Sequence, residues 1–338
     1  MRIIVIVMLS LLSAAACSSS DSAPLPPPKS IDELRAEERD VELALVREID
    51  GGDGYNAFLF SYESAGLNVH AMVAVPDAPL PKSGFPALIA NHGHHPDPPQ
   101  YGITTDGRDW RPGDYYRRVP ELFAAEGFMV VMPDFRGHNN SEGVEFTEGM
   151  LESSYYTEDV LNLLAGIATL PLADPGKIFM WGHSMGGEVT LRTLLATDRV
   201  KAASMWSSVG GDIWDQSYYY SRYEDPTAPD SSDTPKTVIE RLRGRLAEFD
   251  GGFDYSTAEP LLYLDYLQTP IIIQHAVGDR GAAYKWSERL AKELYMRDKE
   301  YRFITYTGDE HFLSGEDLEL AVERDVAFFS KFESATGD

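Results

Sequence analysis

The chain of 338 residues contains one cysteine, few basic residues for its acidic ones, and no apolar run long enough to cross a bilayer. Each shortage excludes something. A lone Cys17 rules out an intramolecular disulfide framework and any zinc cluster built on cysteines. The 29 Lys+Arg against 54 Asp+Glu give a net charge of −25 at pH 7, and no basic run interrupts the excess. Nucleic acid is held chiefly by lysines and arginines that displace counterions from phosphate, so no nucleic-acid partner is expected. The N-terminal apolar stretch 3–12 is too short for a spanning helix. Core material, by contrast, is plentiful. With 43% hydrophobic residues, 11% aromatics and 28 glycines, wholesale disorder is excluded and one large α/β domain or two small ones can be built.

Residues 1–16 have the layout of an export signal, with Arg2, the apolar stretch, and Ser13-Ala14-Ala15-Ala16 ahead of Cys17. The ending resembles a bacterial lipobox, in which cleavage falls before a cysteine that then carries lipid; Ala14 stands where leucine is usual. Lipidation of Cys17 is the expectation. The alternative is an ordinary signal peptide cut at Ala-x-Ala, with Cys17 merely nearby. Residues 17–30 are Ser-rich and then Pro-rich, a composition that forms a flexible to semi-extended tether rather than a core. Ser18 after the cysteine resembles the pattern of lipoproteins sent to the outer membrane. The chain is therefore expected at the bacterial cell envelope, outside the cytoplasm, at the outer membrane or cell surface, touching the membrane through its anchor only. Loss of Arg2 with the signal makes the mature balance −26. That excess disfavours strongly anionic substrates unless Arg136, Arg222 or Arg280 offsets it locally.

Over 31–49 the apolar positions follow helical spacing and predict one amphipathic helix. Strands are predicted near 57–63, 67–75, 86–91, 128–132, 177–182, 202–207, 271–276 and 301–306, with helices near 115–125, 155–170, 185–196, 283–294 and 317–332. Short, wholly apolar runs such as Ala87-Leu88-Ile89-Ala90 suit strands buried on both faces. The alternation predicts an α/β fold with a mostly parallel sheet of about eight strands, over 31–338. Residues 208–269 exceed what a crossover needs and are read as a lid-like insertion before the seventh strand, with a helical stretch near 238–246.

The strongest chemical signal is Gly182-His183-Ser184-Met185-Gly186-Gly187, between a strand-like and a helix-like segment. Glycines two before and two after a serine permit a strained strand-to-helix turn that lifts the hydroxyl clear of the sheet, so Ser184 is the candidate nucleophile. A serine hydroxyl needs a histidine base and a carboxylate to orient it, in the chain order Ser, acid, His. Asp279 and His311 each follow a predicted strand and supply them; Asp212 and Asp215 are rival acids. The turn His92-Gly93-His94-His95 is the natural oxyanion loop, presenting the N–H of His94 beside that of Met185. A zinc site from His92, His94, His95 and Asp97 is the competing reading; no metal or other cofactor is expected. His95, Trp214, Tyr218 and Tyr219 are candidate pocket residues, although lid tyrosines that simply pack the insertion are an equal reading.

These pieces, with Ala90-Asn91-His92-Gly93, the block from Ala125 through Pro133-Asp134-Phe135-Arg136-Gly137-His138, Ser141, Gly143, Asp159-Val160 and His275 to Asp279, resemble the α/β-hydrolase superfamily. Within it they are most similar to the prolyl oligopeptidase (S9) catalytic domain and dienelactone-hydrolase-like esterases. The resemblance implies Ser184 as nucleophile, Asp279 as acid and His311 as base. Departures are His94-His95-Pro96 where glycines usually follow, Ala276 where glycine is usual, and no room for an N-terminal propeller, which puts peptidase activity in question. The expected function is a lipid-anchored serine hydrolase of small esters or short peptides. The alternatives are a non-catalytic binding lipoprotein of the same fold and an acyltransferase using the same triad.

Overall fold

The computed structural model describes residues 25–101, 116–147, 151–223 and 254–333. The expected signal, Cys17, the first part of the tether and the helical stretch near 238–246 lie outside them.

A nine-stranded sheet is built from β1 (Ala44–Gly52), β2 (Tyr55–Ser64), β3 (Leu67–Pro76), β4 (Phe85–Asn91), β5 (Met129–Asp134), β6 (Ala173–His183), β7 (Ala203–Trp206), β8 (Ile271–Ala276) and β9 (Tyr301–Tyr306). The spatial order is β1-β2-β3-β5-β4-β6-β7-β8-β9. From β5 onward the strands run parallel, while β1, β2 and β3 form an antiparallel flank joined to β5. The helices are α1 (Ile31–Ala36), α2 (Arg118–Ala125), α3 (Glu152–Gly166), α4 (Met185–Ala196), α5 (Ile213–Tyr223), α6 (Tyr284–Met296) and α7 (Gly315–Phe329).

The α/β-hydrolase architecture is as expected, with one strand more. No single helix spans 31–49: α1 stops at Ala36, and β1 follows as an edge strand. Its register slips between Leu45 and Arg47, so its apolar residues do not alternate; Leu45 and Val46 stay exposed while Ile49 is buried. That irregularity imitates a helical period in the sequence.

The central strands alternate between two cores, as strands buried on both faces must. Ala87, Ile89, Ile178, Met180, Ile271 and Ile273 join α3, α4 and α6 on one face; Leu88, Phe179, Trp181 and Ile272 join α2 and α7 on the other. Each such large side chain contributes about 1.5–3 kcal/mol relative to leaving it in water. One polar group is built into the second core. Asp325 of α7 accepts from Ser204 Oγ (2.7 Å), Trp206 Nε1 (2.9 Å) and Gln274 Nε2 (2.6 Å), and burial pushes its carboxyl up to about 8.

Helices α2, α3, α4, α6 and α7 each follow a strand, so they start at the carboxyl edge of the parallel sheet and finish toward its amino edge. The loops after β4, β6, β8 and β9 therefore converge on one edge, where open α/β sheets bind ligands. Among the described residues no helix is long and apolar enough to cross a membrane.

Candidate active site

Ser184 sits between β6 and α4 at φ 56° and ψ −123°, backbone that a non-glycine residue rarely adopts. The flanking glycines make the turn sterically feasible. A Cβ on Gly182 would lie 2.2 Å from the Gly186 oxygen, and one on Gly186 would lie 2.1 Å from the Asn91 oxygen. The sequence pattern is thus a packing requirement between β6, α4 and the end of β4.

The two candidate partners meet at this turn. His311 Nε2 lies 2.9 Å from Ser184 Oγ, and its Nδ1 lies 2.9 Å from Asp279 Oδ2 and 3.1 Å from Oδ1. A carboxylate only accepts, so Nδ1 carries the proton and Nε2 accepts from the serine hydroxyl. Asp279 also receives N–H bonds from Gly281 (2.7 Å), Ala282 (3.2 Å) and His275 Nε2 (3.0 Å). Burial alone would raise this carboxyl, but the hydrogen bonds from His275 and His311 and their charge hold it well below the ordinary range. The rival acids are engaged elsewhere: Asp212 accepts from Asp215 N, and Asp215 accepts from Trp286 Nε1 at 2.8 Å.

The sequence reading did not single out two further histidines and a tyrosine that frame the site. His275 Nε2 also faces the Ala282 oxygen (3.2 Å), so it donates there, while Nδ1 accepts from Ser287 Oγ (2.7 Å). His183 Nε2 donates to the His311 carbonyl oxygen (2.9 Å) and its Nδ1 accepts from Tyr116 Oη (2.7 Å). Burial, and then the neighbouring His311, lower His183 to about 3 and keep it neutral. Tyr116 Oη accepts from the Gly93 N–H at 3.0 Å. One chain of bonds thus joins the loop after β4, the Ser184 turn and the His311 loop. His183 and His275 lie inside the quoted motifs, so the motifs themselves were the available signal.

Gly93 passes directly over the serine, since a Cβ there would approach Ser184 Cβ to 3.0 Å. Its own N–H is committed to Tyr116, so the donor expected from this loop is that of the next residue, His94. Met185 opens α4 immediately after the serine. His92 is fully buried between the rings of Tyr101 (4.0 Å) and Phe135 (4.3 Å), and its Nδ1 donates to the Gly93 oxygen. His95 folds its Nδ1 onto the Asp97 backbone, 2.7 Å from the carbonyl oxygen. Among the described residues, no three His, Cys, Asp or Glu side chains are grouped so as to hold a metal.

The other pocket candidates do not share one wall. Trp214 packs on Tyr255 and the first core, whereas Tyr219 Oη donates to the Arg280 oxygen at 2.7 Å, beside Tyr220 on Gly281. The side chain of Tyr218 is outside the described set. Arg136, one of the three arginines named as a possible local offset for anionic substrate, is only 2% exposed and spent on α3. Its Nη2 lies 2.7 Å from Asp159 Oδ1, and its backbone N–H bonds Oδ2.

The family model of the prolyl oligopeptidase family (peptidase S9) matches residues 114–334. An uncharacterized peptidase, YtmA of Bacillus subtilis, is 25% identical over 253 residues, covering 74% of this chain and 85% of that one. The acylaminoacyl peptidase of Pyrococcus horikoshii superposes with a TM-score of 0.60 at 19% identity, over 85% of this chain but 43% of its own. Acetyl xylan esterase 1 from Thermoanaerobacterium sp. JW/SL YS485 superposes at 0.55 and 15% identity, over 91% and 94%. This chain therefore spans less than half of the archaeal peptidase and nearly all of the esterase. By its family match and its fold, the chain belongs to the prolyl oligopeptidase family and is a serine hydrolase.

Proposed function

We propose that this chain is an exported, Cys17-lipidated hydrolase of carboxylic esters that works through an acyl-Ser184 intermediate. The observation that carries the reading is the continuous line Ser184 Oγ, His311 Nε2, His311 Nδ1 and Asp279, with each contact near 3 Å. His311 takes the serine proton as Oγ attacks the acyl carbon and returns it to the leaving alcohol. It then takes a proton from water, which attacks the acyl-enzyme. Asp279, kept ionised, holds the ring in the required tautomer and offsets the imidazolium charge. The N–H groups of His94 and Met185 receive the oxyanion, the largest single electrostatic contribution in such reactions.

Ester cleavage is the reading supported by the overlap with acetyl xylan esterase 1 over 94% of its length, and short peptides are the second reading because YtmA, named as a peptidase, is matched over 85% of its own. The lipidated N-terminus is favoured by the small residues before Cys17 and the Ser/Pro tether after it.

The test is turnover of 4-nitrophenyl esters and proline-containing peptides by the protein and its Ser184→Ala variant. The reading predicts ester turnover that falls by at least about 10⁴-fold in the variant. It also predicts fluorophosphonate labelling that disappears with the hydroxyl. Equal background rates for both proteins, without labelling, contradict it; preference for the peptides overturns the ester assignment alone. Added alcohol that diverts the acyl group to a new ester would reveal transfer in place of hydrolysis.

A further inference from the structure

The last residues of the tether are seated on the domain, and their course sets where the remaining chain leaves it. Working back from α1, Arg35 Nη1 donates to the Leu195 oxygen at the end of α4, which is the amino edge of the sheet. Lys29 Nζ pairs with Glu158 Oε1 at 2.5 Å, in the second turn of α3. Pro26 O accepts from Tyr155 Oη at 2.7 Å, in the first turn. Leu25 packs against the core beside them. The segment therefore climbs α3 toward the carboxyl edge. This direction is fixed independently, because Glu158 and Asp159 are the partners of Arg136 in the loop leaving the carboxyl end of β5. Leu25, the first described residue, thus lies toward the edge that carries Ser184.

Only eight residues' worth of chain separates Leu25 from Cys17, which reaches about 28 Å at full extension and about 16 Å on average. A domain of this size is roughly 50 Å across. A spacer this short, attached at the carboxyl edge, cannot bring the amino edge to a bilayer that holds Cys17. We propose that the tether turns the Ser184 edge toward the membrane, and that the substrate is a neutral or cationic ester carried at the bilayer surface. This rests on the Cys17 anchor proposed above. The acidic surface, −26 in the mature chain, repels anionic headgroups, so the domain is held at spacer length rather than adhering.

Orientation is measurable without turnover. Val144, 55% exposed, lies in the turn after the β5 loop at the carboxyl edge; Met296, 66% exposed, ends α6 at the amino edge. Val144→Cys and Met296→Cys are each made in the full chain, expressed so that Cys17 is acylated, dye-labelled at the new thiol, and reconstituted in phosphatidylcholine vesicles bearing an acceptor dye. The expected result is several-fold more energy transfer from position 144 than from 296. Equal or inverted transfer overturns the proposal, as does a mass spectrum with Cys17 unmodified, and neither result touches the hydrolase assignment.

A second arm reads substrate. Glu333, the last described residue, lies at the amino edge, where it pairs with Lys177 at 3.4 Å. A Cys17→Ser, Asp338→Cys chain coupled to a vesicle lipid through its new thiol is therefore held upside down. Both forms should cleave soluble 4-nitrophenyl acetate alike. The N-terminally anchored form should cleave vesicle-borne 4-nitrophenyl palmitate at least about ten times faster. Equal palmitate rates overturn the membrane-substrate assignment, whereas loss of acetate turnover in both forms strikes the hydrolase reading.

Discussion

On one side of Ser184, Asp279 gathers N–H bonds from Gly281, Ala282, His275 and His311, and Gly281 lies so close to the His311 ring that a Cβ there would come within 2.4 Å of its Cγ. On the other side, His92 is held by ring stacking and a single bond from Nδ1 to the Gly93 oxygen, and its buried Nε2 has no partner among the described residues. Hydrogen bonds fix direction to fractions of an ångström, whereas stacked rings fix position but tolerate rotation. His311 is thereby held to one geometry, while the loop after β4 is tied to it through the Tyr116–His183 relay.

Four substitutions or titrations would break or sharpen that contrast. Asp279→Asn should cost the most, lowering kcat by about 10⁴-fold with KM little changed, because the amide can present its N–H to His311 and stabilise the wrong tautomer. Gly281→Ala should follow, at about 100-fold, since the methyl must displace His311 from the serine; fluorophosphonate labelling rates read the loss directly. Tyr116→Phe removes the relay. It should lower kcat about tenfold and cost about 1–2 kcal/mol of stability, measurable by urea unfolding, because Gly93 N–H and His183 Nδ1 lose their partner. His92→Phe keeps the stack and removes the unpartnered Nε2, but it also removes the Nδ1 bond to the Gly93 oxygen, so stability should fall by about 1 kcal/mol while activity changes little. A large loss at His92 together with tolerance at Gly281 would invert the comparison.

The pH dependence of stability has two opposed arms. His183 and His138 are lowered to about 3 by burial, so the stability they contribute is present above 6.5 and is lost as pH falls toward 3. Asp325 is raised to about 8, so its contribution is full below about 4 and is lost as pH rises through 8. Thermal melts should therefore decline at both ends. Asp325→Asn should flatten the alkaline limb alone, and an unchanged alkaline limb would contradict the assignment.

The fold was legible where the chemistry is local. Apolar runs of four residues marked the two-sided strands, and Gly182 and Gly186 marked the turn that now requires them. Strand β1 was not legible, because a register slip and exposed leucine and valine erase the period-2 signal of an edge strand. Asp279 and His311 were singled out as candidates from chain order, and the structure brings both to Ser184; the partners of His183, His275 and Arg136 come from residues 67, 12 and 23 positions away, and no spacing rule encodes such contacts. Of the three arginines named as possible offsets for anionic substrate, Arg136 is taken up by Asp159 in this way.

The claim on which the rest depends is the acyl-serine. Intact mass and peptide mapping after acid quench during turnover of a slowly deacylated 4-nitrophenyl ester test it most directly. The prediction is one acyl group on the peptide bearing Ser184, matched by a stoichiometric burst of nitrophenol and absent from Ser184→Ala. Turnover without any adduct, or an adduct that persists in the variant, would contradict it.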